Sequence, residues 1–150
     1  MDKKDIKILE TLQKDGRITN KKLAEELKLS PPSVLERVRK LESAGVIRSY
    51  HAKIDREKIG RPILAFISIY LEKNNENTIK KLFDYLKNLD EVLEIFHITG
   101  RFDFLLKVSA KNLQDLNNII SARISESEAV KKVETFLVLD SYENGNYPIS

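Results

Sequence analysis

The residues of this chain best suited to chemistry are gathered in one short stretch, SPPSVLERVRKLES (Ser30–Ser43). It places Arg37, Arg39 and Lys40 within four positions, with Ser33 and Glu36 one helical turn ahead of Arg37 and Lys40. Guanidinium and ammonium groups neutralise phosphate oxygens. A hydroxyl bonds either kind of base edge, and a carboxylate accepts from the amino group of cytosine. That combination reads a polyanion; it does not make or break bonds. The residue types that catalysis would need are absent or scattered. There is no cysteine, and the two histidines, His51 and His97, lie far apart without metal-ligand spacing. No nucleophile elbow, phosphate loop or paired-carboxylate signature occurs. The chain is therefore not expected to be an enzyme, nor to carry a metal or cofactor.

The elements that position the cluster can be read from local chemistry. Ser30 suits an N-cap, Pro31 suits N1, and Leu29 with Val34 suits a hydrophobic staple. Val34, Val38 and Leu41 form one stripe at helical spacing. The opposite face carries Pro32, Ser33, Glu36, Arg39, Lys40 and Ser43, with Arg37 on its flank, and Gly45 closes the helix. Upstream, Asp2 or Asp5 caps a helix with Ile6, Leu9 and Leu12 inward, stopped by Gly16. Ile18, Thr19 and Leu23 repeat staple, cap and staple partner for a second helix through Leu27. Only Lys28 and Leu29 then separate two short helices, which is a helix-turn-helix. The loosely alternating run Val46–Ile54 predicts a pair of strands, a wing, beside it. Lys21 and Lys22 open the second helix, where they can touch the backbone of a duplex.

Charge follows the same division. Residues 1–60 hold 15 Lys and Arg against 10 Asp and Glu, whereas residues 61–150 hold 11 against 13, so one part suits phosphate and the other does not. A break is expected at Asp55–Pro62, where Gly60 and Pro62 interrupt the pattern. The domain reading is 1–54 for the winged helix-turn-helix, 55–62 for a linker and 63–150 for a second domain. No stretch is apolar enough to span a membrane, and the first residues lack the apolar core of a secretory signal, so a cytoplasmic, nucleoid-associated protein is expected.

The second half changes period. Ile63–Leu71 is a nearly continuous apolar run, hence a buried strand. Asn74–Thr78 caps a helix with Ile79, Leu82, Phe83 and Leu86 inward. Val92–Thr99 and Asp103–Ser109 read as strands joined by a short turn. Asn112 opens a helix with Leu113, Leu116, Ile120 and Ile124 inward, and Val130–Leu139 reads as a last strand. The order βαββαβ is ferredoxin-like. The fold class is thus α+β, a winged helix-turn-helix followed by a ferredoxin-like domain. The polar tail Tyr142–Ser150 is expected to be loose or to cross to a neighbouring subunit.

Two stretches, DIKILETLQKDGRITNKKLAEELKLSPPSVLERVRKLESAGVIRSY and TGRFDFLLKV, resemble the Lrp/AsnC (leucine-responsive, feast/famine) transcription regulators over about the full length. The resemblance implies sheet-to-sheet homodimers that assemble further, commonly into octamers. It also implies a small-molecule effector, an amino acid, held between subunits at the loop Thr99, Gly100, Arg101, Phe102 and Asp103. Backbone N–H groups around Gly100 would cradle a carboxylate and Asp103 would pair an ammonium. The plainer alternative is a hairpin with Gly100 at positive φ and Asp103 as a turn residue. A two-fold dimer would read palindromic double-stranded DNA with half-sites one helical turn, roughly 34–36 Å, apart. Pro32, Ser33 and Glu36 are the candidates for bases, and Arg37, Arg39, Lys40, Lys21 and Lys22 for phosphates. For Arg37 the competing role is an ion pair with Glu26 or Glu36. The competing function is an architectural, DNA-compacting protein of low selectivity without an effector. RNA binding through the second half is disfavoured by Asp103, which would set a negative charge on a stacking platform.

Overall fold

Three helices build the first unit in the computed structural model, which describes residues 1–149. They are α1 (Lys3–Lys14), α2 (Asn20–Leu27) and α3 (Pro31–Ser43). Each starts where a short polar side chain meets the orphan N–H groups of a first turn. Asp2 accepts from Lys4 and Asp5 at 2.8 and 2.9 Å, and Asp5 accepts in return from the Asp2 N–H at 2.9 Å, a capping box. Thr19 and Ser30 cap α2 and α3 as expected. Ile8, Leu9, Leu23, Ala24, Val34, Val38 and Leu41 form the core of this unit. The expected inward Ile6 is displaced by Ile8, which is wholly buried. A strict three-residue repeat drifts around a helix of 3.6 residues per turn, so Ile8 and Leu12, four apart, define the stripe better.

Both helices of the helix-turn-helix, α2 and α3, close at their C-terminal ends through left-handed residues. Gly45 takes φ 70°, its N–H donates to Glu42 O at 2.9 Å, and the Val46 N–H reaches Leu41 O at 2.9 Å. At the turn itself the left-handed residue is Lys28, φ 51°, with the Leu29 N–H on Ala24 O at 2.9 Å. The expected wing strands are not formed. Among the described residues, no strand lies within Val46–Ile54. The stretch has no glycine or asparagine to favour a tight two-residue hairpin turn. Tyr50 instead hydrogen-bonds Glu42 at 3.0 Å, and its ring edge would meet a Cβ placed on Gly16 at 3.8 Å. The tail, attached by the sequence reading to the second domain, groups with the first over its described residues: the compact unit comprises Met1–Lys53 and residues 142–149.

The second unit, Ile54–Ser141, is a four-stranded antiparallel sheet with helices on one face. Its strands are β1 (Ile63–Leu71), β2 (Val92–His97), β3 (Phe104–Ala110) and β4 (Val130–Leu137), in spatial order β2-β3-β1-β4. That is the ferredoxin-like order. Helices α4 (Glu76–Leu86) and α5 (Leu113–Asn118), capped by Asn75 and Asn112, carry the covering apolar stripes. Ile67, Leu106 and Val108 are wholly buried, each removing roughly 1.5–3 kcal/mol of apolar surface from water. Of the residues expected inward, Leu116, Ile120 and Ile124 pack on the core and Leu113 does not. A π-helical stretch, Ile119–Ile124, follows α5, and its wider turn sends Ile119 and Ile124, five apart, into the core. Leu113 is left 58% exposed.

Strands β2 and β4 end two residues earlier than the apolar pattern suggests, and β3 runs one residue later. Asp103 explains the start of β3. Its N–H pairs Ile69 O at 2.9 Å, and its carboxylate, in place of a backbone carbonyl, takes the Leu71 N–H at 2.8 Å. No helix among the described residues is long and apolar enough to cross a membrane.

Candidate functional site

The polar set on α3 stands outward on a helix that is fixed from within. Val34, Val38 and Leu41 anchor the inner face, while Pro32, Glu36, Arg39 and Lys40 are exposed and Ser33 is half-buried. Glu36 and Lys40 pair across one turn at 2.8 Å, and the ammonium holds the Glu36 carboxyl below the ordinary carboxylate range. Such an exposed pair is worth little and opens readily to a better partner. Arg39 has no ion pair or side-chain hydrogen bond among the described residues, and neither do the side chains of Lys21 and Lys22, exposed at the start of α2. The capped N-terminus of α3 brings Pro32 and Ser33 to its leading end, the part of a recognition helix that enters a groove.

Arg37 behaves differently. Its Nη1 donates to Asp5 Oδ1 and to Asp2 Oδ2, both at 2.7 Å. The Asp5 and Asp2 bonds raise its pKa further, and the Asp5 N–H together with Arg37 holds the Asp2 carboxyl below the aspartate range. The partners are those two residues of the α1 capping box, rather than Glu26 or Glu36. Arg37 thus ties α3 to the start of α1 through Nη1. This bridge escaped the sequence reading because 32 and 35 residues separate the partners.

In the second unit the loop Thr99–Asp103 connects β2 to β3. Thr99, Gly100 and Arg101 are exposed; Phe102 and Asp103 are half-buried. Gly100 has φ 131°, a conformation that side-chain-bearing residues rarely adopt, and open space where a Cβ would stand. The loop leans on one end of the sheet face opposite the helices. Phe102 meets Tyr70 edge-on at 6.0 Å. The Tyr70 hydroxyl donates to Glu134 at 3.0 Å, and Lys132 reaches the same carboxylate at 2.5 Å. Asp103, proposed for an ammonium, spends both oxygens within the chain. Oδ2 holds the Leu71 N–H and Oδ1 accepts from Asn74 Nδ2 at 2.6 Å. Arg101 has no ion pair among the described residues.

The same sheet face carries aromatic side chains. Phe136 stands opposite Phe66, and Phe96 opposite Leu105. Phe136 and Phe96 are 52% and 42% exposed in the single chain, a large apolar area for a surface. Lys107 pairs Glu94 at 2.7 Å beside them.

Residues 1–48 match the winged helix-turn-helix DNA-binding family, and residues 64–147 match the Lrp/AsnC ligand binding domain. The chain belongs to the Lrp/AsnC family. It is 37% identical to the leucine-responsive regulatory protein of Rhizobium meliloti over 93% of this chain and 89% of that one. Against the leucine-responsive regulatory protein of Escherichia coli it is 30% identical, over 97% and 89%. A Neisseria meningitidis transcriptional regulator solved in complex with L-Met superposes with a TM-score of 0.90, at 30% identity, over 95% of this chain and 92% of that one. The Escherichia coli AsnC structure gives 0.85 at 27% identity, over 94% and 93%. As a Lrp/AsnC member the chain is a transcription regulator, with a helix-turn-helix that binds DNA and a ferredoxin-like domain that binds a ligand.

Proposed function

We propose that this Lrp/AsnC regulator reads palindromic double-stranded DNA as a homodimer or larger homo-oligomer, in response to an amino acid bound at the Thr99–Asp103 loop between subunits. The observation that carries the reading is the outer face of α3: polar side chains presented on a doubly capped helix, with Arg39 unspent. Pro32, Ser33 and Glu36 contact bases, and Arg39, Lys40, Lys21 and Lys22 contact phosphates. Arg37 is reassigned from phosphate contact to holding α3 on α1, as its bonds to Asp2 and Asp5 indicate. The functional division follows 1–54 for DNA, 55–62 as connector and the sheet beyond for ligand and self-association.

The L-Met complex of the Neisseria relative supports an amino-acid effector. The exposed Phe96 and Phe136 support pairing of sheet faces. Since Asp103 is occupied, its part in the ligand site is to hold the loop, while the backbone around Gly100 and the free Arg101 meet the ligand's carboxylate end. A cytoplasmic setting with access to the nucleoid follows from a DNA target. Selection of bound duplexes from random DNA, without and with a mixture of the twenty amino acids, tests the whole reading. The expected result is a palindromic motif with turn-spaced half-sites whose enrichment or spacing shifts with the mixture. Binding without a motif, fading as salt rises, would replace it with DNA compaction.

A further inference from the structure

The chain leaves the first unit after Lys53 and returns to it at Tyr142, straight from the sheet strand β4 and its short extension. The returning segment is held at three points. Lys53 Nζ lies 3.4 Å from the Glu143 carboxylate and donates to the Glu143 carbonyl at 3.5 Å. The Gln13 side-chain amide meets the backbone of Tyr147 twice: Oε1 accepts from the Tyr147 N–H at 2.6 Å and Nε2 donates to the Tyr147 carbonyl at 3.1 Å. Those are the two bonds a facing strand residue would exchange, made here by a side chain, so they recognise extended backbone whatever its sequence. Finally Ile149 packs, half-buried, against the helical core, and with Tyr147 it forms one wall of a groove whose other walls are Leu9, Leu12, Val46, Ile47 and Tyr50. Pro148 confines Tyr147 to extended conformations, the ones the clamp requires, which lowers the entropy lost on docking.

None of these contacts is strong alone. Lys53 and Glu143 are mostly exposed, and surface pairs of that kind contribute little. Two neutral hydrogen bonds and one partly buried isoleucine make a contact that opens and closes under native conditions. From this we infer that the groove between α1 and Val46–Tyr50 is a docking site for the chain's own segment Glu143–Ile149. Docked, the segment is a second tether beside the 55–62 connection and limits how far the DNA-binding unit moves from the ligand domain. Docking itself is independent of the proposed function. The effect on DNA rests on the reading that paired units engage spaced half-sites.

The test uses the full chain and two surface variants. Gln13→Leu removes both clamp bonds at nearly constant size, and Ile149→Asp puts a carboxylate into the apolar groove. Amide hydrogen exchange should show protection at Tyr147, the amide held by the clamp, falling about tenfold or more in either variant, with Val34–Leu41 unchanged. Equal exchange in wild type and both variants overturns docking. The chain has no cysteine, so a Gln13→Cys, Tyr147→Cys pair can be joined cleanly by a short bismaleimide. A cross-linked single chain is expected; a product of two chains alone overturns docking within one chain. On the selected motif, moving one half-site by half a helical turn should weaken wild-type binding about tenfold or more, but Ile149→Asp by no more than about twofold. The same loss in both overturns the tether while the exchange result still decides the groove. If selection yields no paired half-sites, the DNA reading and the tether fall together, and exchange and cross-linking continue to report on docking.

Discussion

The outer face of α3 and the loop between β2 and β3 both present a cation, a carboxylate and small polar groups, yet the two regions spend them in opposite ways. On α3 the framework is completed by apolar packing and by caps at both ends, so Glu36, Arg39 and Lys40 hold no part of it together beyond one loose surface pair. In the loop the framework is completed by the candidate itself: Asp103 supplies the acceptor that the end of β1 lacks, and Gly100 supplies the φ that no other residue takes easily. Polar groups left over after the fold is satisfied point to an outside partner. Polar groups consumed by the fold shape a site without touching what binds there. Arg37 makes the same point within α3, since it sits among the candidate DNA contacts and is consumed by Asp2 and Asp5.

The comparison breaks most visibly on DNA. An Arg39→Ala, Lys40→Ala double variant should weaken binding by about ten- to a hundredfold at moderate salt. The slope of log affinity against log salt should fall by about 1.8, as two lost phosphate contacts require. Its melting should be unchanged, because neither side chain supports the fold. Arg37→Gln should do the reverse: the salt slope stays, while the DNA-binding unit melts at lower temperature. Titrations at several salt concentrations, beside melting curves, separate the two. A reduced slope for Arg37→Gln would return that residue to the phosphate contacts.

On the loop side, Asp103→Ala should cost about 1–3 kcal/mol of stability in the second unit, since the half-buried Leu71 N–H and the Asn74 amide lose their acceptor. Urea unfolding followed in that unit measures it. A variant as stable as wild type would mean that the carboxylate is free for a ligand after all, and the contrast with α3 would close.

How far the sequence carried depends on how local each cause is. Asp2, Thr19 and Ser30 act on N–H groups two or three residues away, so the helix starts were legible, as were the βαββαβ order and the buried run Ile63–Leu71. The exposed part of the site was legible for the same reason: helical spacing alone puts Glu36, Arg39 and Lys40 opposite Val34 and Val38. What stayed hidden was made by distant partners. Gln13 and Tyr147 are 134 residues apart, and Asp103 and Leu71 are 32 apart. No local pattern marks either. The run Val46–Ile54 alternates without forming strands, and Ile119 joins Ile120 and Ile124 on the inward face because a π-helical stretch changes the helical period.

The smallest expected effect tests whether α3 is as fully fixed as the comparison requires. Lys28 occupies the left-handed position between α2 and α3, where a Cβ is disfavoured. Lys28→Gly relieves that strain but loosens the unfolded chain, and the two effects partly cancel. A net gain of up to about 1 kcal/mol in the first unit is expected by thermal or urea unfolding. DNA affinity should hold within about twofold, because Lys28 stands outside the base-facing set on α3. A stabilised variant with unchanged affinity would show that the turn only joins the two helices. A stabilised variant that binds DNA markedly worse would instead place the Lys28 ammonium on a phosphate, and the surplus polar surface would extend from α3 into the turn before it.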